Sequence, residues 1–201
     1  MTQDTFVAVA PEELPSPPRT APNLPGRVLH WWRRRTALRR LSRRPHPPPL
    51  LFLCHGNLCR SPFAAGVARQ LLPSWVDVAS AGFLAPGRRS PPEALAAAGE
   101  FGVDLSAHRS EILTVDHLRN TDLVVVMDRD QRRRLVTMQP ALASRVVLLG
   151  DLDPVPTAER DVPDPVNQPL DAFRSAYGRI HRCVRALAGA WSQQAGTQPR
   201  G

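Results

Sequence analysis

The chain predicts a doubly wound α/β fold, a four-stranded parallel sheet with helices on both faces. From residue 50 onward, short apolar runs alternate with helix-compatible stretches, the order that parallel strands and crossover helices require. The first apolar run, Leu50-Leu51-Phe52-Leu53-Cys54, leads through a short polar loop into a helix-forming segment with Pro62 near its start. Ligands of open α/β sheets bind beyond the carboxyl ends of the strands, which places that loop at a site.

Taken in order, residues 1–26 carry Pro11, Pro15, Pro17, Pro18, Pro22 and Pro25 and few large apolar side chains. They bury too little to offset chain entropy and are expected to be a disordered tail. Residues 27–49 form a basic segment and a proline linker. The stretch 27–44 has eight arginines and no acid, with Val28, Trp31, Leu38 and Leu41 roughly along one helical face. Pro45, Pro47, Pro48 and Pro49 then end any helix. Such a helix fits an anionic membrane surface, where each arginine contributes about 1 kcal/mol. A solvated linker, or a helix packed on the domain or on an acidic partner, is the alternative.

The body is expected over 50–194. Strands are placed at 50–54, 75–80, 121–127 and 145–149, and helices at 62–72, 91–101, 109–119 (short), 129–138 and 169–194. Residues 195–201 are read as a second disordered end.

All 26 basic residues are arginine, and the net charge is +8. Residues 1–49 hold nine arginines against Asp4, Glu12 and Glu13, so most of the excess sits in the tail. The nearly balanced body argues against nucleic acid as a partner. No apolar run is long enough for a membrane span. Three cysteines without a secretory leader suit reduced thiols in a cytoplasm, with a peripheral place at the inner membrane if the basic segment binds lipid.

The loop from Cys54 to Arg60 has the chemistry of a phosphate site placed over a sulfur. Loop amides and the unpaired N–H groups of a first helical turn make a concave anion site. Gly56 is expected to permit the bend, and Arg60 offers a planar fork for two phosphate oxygens. The same positive field favours the thiolate of Cys54, the form that attacks phosphorus. A lone cysteine closing an apolar strand is ordinarily a small core residue; here it has the arginine, the glycine and Ser61-Pro62 as companions.

With Cys54 to Pro62 reading CHGNLCRSP, the chain resembles the low-molecular-weight protein tyrosine phosphatases, in their bacterial form with an added basic tail. The resemblance spans about residues 50–192. It is carried in order by Ala79-Ser80-Ala81-Gly82, by 102–109 (GVDLSAHR), by 121–128 (TDLVVVMD) and by Asp161-Val162-Pro163-Asp164-Pro165. It implies hydrolysis of protein phosphotyrosine through a phosphocysteine intermediate, with Cys54 as nucleophile, Arg60 gripping the phosphate and Asp164 as general acid. Asp161 is the rival acid. His55, Gly56, Leu58 and Cys59 belong to the phosphate loop, and Asn57, Ser61, Ser80 and His108 match a supporting hydrogen-bond network.

No metal or other cofactor is called for, and zinc held by Cys54, Cys59 and Cys183 is disfavoured by their spacing. Cys59 could trap an oxidised Cys54 as a disulfide. An aryl slot is expected from His55, Leu58, Phe83 and Leu84, although Val166 stands where the family often has an aromatic residue. Arginine-phosphate relatives carry threonine at the Leu58 position. By family analogy the partner is a phosphotyrosine protein, such as a bacterial tyrosine kinase of polysaccharide export. Two other readings are a thiol-linked arsenate reductase, which needs further cysteines that 83–122 lacks, and a weak or inactive phospho-partner binding module.

Overall fold

The computed structural model describes residues 24–195, so residues 1–23 of the tail expected over 1–26, and the end beyond 195, lie outside the described residues. Its elements are α1 (Leu24–Ser42), β1 (Leu50–Cys54), α2 (Arg60–Leu71), β2 (Val78–Gly82), α3 (Pro92–Gly99), α4 (Val115–Arg119), β3 (Leu123–Val126), α5 (Arg129–Met138), β4 (Val146–Leu148) and α6 (Leu170–Ala195). Single 3₁₀ turns cover Pro140–Ser144 and Leu149–Leu152.

The four strands are parallel, in the order β2-β1-β3-β4. The chain leaves β1 toward β2 on one side and returns as β3 on the other. The loop after β1 therefore stands at the point where the winding reverses, the crevice in which such sheets bind ligands. Along β1, side chains alternate between two cores, as the two-residue period of a strand requires. Leu50, Phe52 and Cys54 join the core built with α2, α3 and α6. Leu51 and Leu53 face the smaller core that contains Leu135 of α5.

Several boundaries differ from the sequence reading. β2 begins at Val78 because 73–76 closes a turn, Val76 N–H donating to Pro73 O at 3.0 Å, which leaves Trp75 exposed. Helix was expected from 109, yet α4 begins only at Val115. The preceding backbone is engaged elsewhere: Ser110 N–H donates to Arg88 O, Gly82 N–H to Glu111 O and Leu113 N–H to Gly82 O, at 2.7–2.9 Å. α2 starts two residues early, at Arg60. Pro62 still fits, because Phe63 N–H makes the first intrahelical bond, to Cys59 O at 3.3 Å.

Residues 24–26, grouped with the tail by composition, open α1 instead, with Pro25 harmless in its first turn. α1 packs on α6 and the 149–152 turn. Its inward stripe is His30, Arg34, Ala37, Leu38 and Leu41, spaced as one helical face. His30 Nε2 donates to Asp153 O at 2.9 Å, Arg34 Nε to Leu152 O at 3.4 Å, and Trp191 Nε1 to the carbonyl of the buried Leu41 at 3.2 Å. The single apolar face read from the sequence is thus split: Leu38 and Leu41 turn to the domain, while Val28 and Trp31 are exposed. Among the described residues, no helix is long and apolar enough to cross a membrane.

Candidate active site

Cys54 ends β1 almost wholly buried, and its Sγ accepts two hydrogen bonds. One comes from Ser61 Oγ at 3.0 Å and the other from Asn57 N–H at 3.2 Å. The turn that carries Asn57 N–H back to the sulfur is made by Asn57 itself, whose φ of 51° lies in the left-handed region. Gly56, expected to supply the bend, does not adopt a positive φ. Asparagine enters that region more readily than most L residues.

Asn57 is the hub of this loop and is fully buried. Its Nδ2 donates to Ser61 Oγ and to Ser80 Oγ, both at 2.9 Å. Its Oδ1 accepts Glu111 N–H at 2.8 Å, and its carbonyl accepts from His108 Nε2 at 2.8 Å. The structure therefore brings Asn57, Ser61, Ser80 and His108 together behind Cys54. β2 approaches closely enough that a Cβ on Gly82 would sit 2.7 Å from Asn57 N, so this position must be glycine.

Arg60, at the head of α2, is 3% exposed. One terminal nitrogen donates to Val162 O at 2.9 Å and approaches Asp128 Oδ2 at 3.5 Å; the other bonds the carboxylate of Asp164. Its Nε is buried without a partner among the described residues. The loop carrying Asp164 is tied to the end of β3 by Val162 N–H to Met127 O at 2.8 Å. Arg179 holds it from behind, donating to Asp161 O at 2.8 Å and to Glu159 O at 2.5 Å. A cleft of about 580 Å³ opens between the two loops, lined by His55, Phe83 and Arg134 as well as by Arg60, Asp128 and Asp164.

Asp161 and Asp164 differ in environment. Burial works against ionisation of Asp161, but hydrogen bonds and charge from Arg129 outweigh it and hold its carboxyl below the usual range. Arg129 Nε lies 3.0 and 3.1 Å from the two Asp161 oxygens. A carboxylate locked in that way is a poor proton donor near neutrality.

The remaining loop residues serve differently than the sequence suggested. Leu58 is buried and Leu84 part-exposed, and neither lines the cleft that was expected to use them. Cys59 caps α2 through its backbone, and its carbonyl accepts from Tyr177 Oη at 3.1 Å. Burial above all, then the charges of Cys54 and Asp164, push its thiol up to about 12. Such a thiol supplies little thiolate to trap an oxidised neighbour. All three cysteines are free. Among the described residues, no group of three or more His, Cys, Asp or Glu side chains is placed to hold a metal.

Sequence reasoning missed Asp128, Gln131 and the Val162 carbonyl. Asp128 accepts Gln131 N–H at 2.8 Å as the N-cap of α5 and presents its second oxygen to Arg60. The signal available for it was an aspartate placed between the third apolar run and a helix.

Comparison with known proteins agrees with this geometry. Residues 49–197 match the family model described as "Low molecular weight phosphotyrosine protein phosphatase". A probable low molecular weight protein-tyrosine-phosphatase, EpsP, from Ralstonia nicotianae is 37% identical over 138 residues, covering 68% of this chain and 91% of that protein. The structure of Wzb from Vibrio vulnificus in complex with benzylphosphonate superposes with a TM-score of 0.64 at 32% identity, over 72% of this chain and 98% of that one. The YwlE arginine phosphatase from Geobacillus stearothermophilus gives a TM-score of 0.68 at 27% identity, over 77% and 100%. With a buried, hydrogen-bonded cysteine at the carboxyl end of β1 and this match across three quarters of its length, the chain belongs to the low-molecular-weight, cysteine-dependent protein tyrosine phosphatase family.

Proposed function

We propose that residues 50–194 form a phosphatase unit in which Cys54 accepts the phosphoryl group of a protein phosphotyrosine. Arg60 and the amides at the head of α2 hold its oxygens, and Asp164 protonates the leaving phenoxide. The observation that carries this reading is the pairing of two sites. The Cys54 sulfur, with two donors aimed at it, lies at the start of the helix whose arginine reaches across to Asp164. Donation from Ser61 also stabilises the sulfur as the leaving group when water attacks the phosphocysteine. The ionised Asp164 takes that water's proton.

Phosphate must compete with Asp164 for Arg60, and parting the two frees the carboxyl for the leaving oxygen. An aryl substrate is supported by the Phe83 ring in the cleft, with the Arg134 guanidinium 4.4 Å above its centroid. Likeness to an arginine phosphatase favours phosphoarginine as the second reading.

The test is hydrolysis of a phosphotyrosine peptide, a phosphoarginine peptide and p-nitrophenyl phosphate. Cys54→Ser should abolish turnover. Asp164→Ala should lower kcat on the phosphotyrosine peptide by about 10²–10⁴ and less on the better leaving group. Greater damage from Asp161→Ala would overturn the acid assignment, and faster cleavage of phosphoarginine the substrate class.

The partner is a phosphotyrosine protein of the cytoplasm, a bacterial tyrosine kinase of polysaccharide export on family analogy. The outward face of α1 supports peripheral contact with an anionic membrane: Leu24, Val28, Trp31 and Trp32 are exposed among arginines, with Arg35 5.1 Å from the Trp31 ring centroid. Sedimentation with anionic vesicles should fall in the Trp31→Ala/Trp32→Ala variant; equal binding removes the membrane contact.

A further inference from the structure

A second cavity, of about 410 Å³, lies where α1, α5 and β4 meet the segment leading to Asp161. It is lined by Arg40, Arg129, Arg132, Arg133 and Arg160, with Asp151 as the only acid among the described residues. Three of these arginines are matched: Arg160 by Asp151 at 2.7 Å, Arg129 by Asp161 at 2.8 Å, and Arg133 by Asp130. Arg40 donates to a neutral carbonyl, that of Ser144, at 2.9 Å, and the Arg132 side chain has no partner among the described residues. Two guanidinium charges are therefore left without a carboxylate in a concave site, an arrangement that suits a dianionic phosphate.

The position of the cavity says where that phosphate comes from. Arg129 lines this cavity and Asp161 lines the catalytic cleft, so one ion pair forms the wall between the two. All three residues of β4, the last strand in the sheet order, line it as well. Arg40 and Ala37 close it from α1, which precedes the segment matched to the family.

The geometry points to a second phosphate subsite, which takes another phosphotyrosine of the same substrate polypeptide while the first occupies the Cys54 loop. The subsite rests on the phosphatase reading and extends it to substrates phosphorylated more than once.

The test uses peptides bearing one or two difluoromethylphosphonate mimics of phosphotyrosine, at a series of spacings, titrated by calorimetry into the full chain. At the best spacing the doubly substituted peptide should bind the wild type about tenfold more tightly than the single one. Arg132→Glu and Arg40→Glu should each reduce that advantage to about the statistical factor of two, leaving the single peptide unaffected. Both side chains are solvent-facing, and unchanged hydrolysis of p-nitrophenyl phosphate will report that each variant is folded. An advantage of two or less in the wild type, or one that survives both substitutions, overturns the subsite. So does loss of anionic-vesicle binding in these variants with peptide preference intact, which would assign the arginines to lipid headgroups. Failure of the wild type to hydrolyse p-nitrophenyl phosphate would sink the phosphatase reading instead, and the binding comparison would still decide the subsite.

Discussion

Replacing Asn57 by alanine tests whether one side chain holds the Cys54 loop. The substitution removes two donated bonds, to Ser61 and Ser80, and one accepted bond, from Glu111 N–H. The hydroxyls can turn to other partners, but the part-buried Glu111 amide loses its acceptor, at about 1 kcal/mol. The two lost bonds add about 1 kcal/mol each. Alanine at a φ of 51° adds about 1 kcal/mol more. The expected loss is about 4 kcal/mol, read as a shift of the urea midpoint at unchanged slope. Asn57→Gly keeps the hydrogen-bond losses and relieves the backbone, so it should be about 1 kcal/mol more stable than the alanine variant. The kcat on p-nitrophenyl phosphate should fall in both, since Ser61 and the loop amide lose their fixed aim at the sulfur. A loss below about 1 kcal/mol, or an alanine variant no less stable than the glycine one, would refute the account.

Three further outcomes follow from the same structure. Asp153 is fully buried between Arg179 and Arg182, at 3.0 and 2.7 Å, so Asp153→Ala should cost about 3–5 kcal/mol in a denaturant titration by stranding Arg179. Burial also raises the thiol of Cys183 to about 12, as it does that of Cys59, so neither should be labelled by iodoacetamide at pH 8 in the native protein; mass spectrometry of the labelled peptides checks this. Burial, then the charge of Arg185, lowers the pKa of His181 below 6.5. The unfolded chain therefore binds the proton more readily, and stability present above pH 6.5 is lost as the pH falls from that value through the lower folded pKa. The slope is at most about 1.4 kcal/mol per pH unit, and His181→Gln should flatten it.

The sheet and the Cys54 loop were legible because their signals are local. Five consecutive apolar residues, Leu50 to Cys54, can be buried on both faces only by a central parallel strand, and the thiol and arginine flank one short loop. What was missed depends on partners distant in sequence. Asp128 and the Val162 carbonyl meet Arg60 across 68 and 102 residues, and no spacing rule reaches so far. Gly56 drew attention as the usual residue for a bend, whereas the strain fell on Asn57, whose side chain can hold it by bonding three other segments. The docking of α1 was hidden because its inward stripe contains His30 and Arg34, polar residues that become acceptable inside only once the carbonyls of Asp153 and Leu152 receive their protons.

The docked α1 bears on where this enzyme can be cut. A shortened form starting at the proline run would keep every group near the sulfur yet strip the cover from Leu152 and the Trp191 indole, and leave the Asp153 carbonyl to water. Trimming to the limits of sequence similarity should therefore yield a less soluble and less heat-resistant preparation, with the damage centred on the far end of α6 and felt at the acid loop through Arg179.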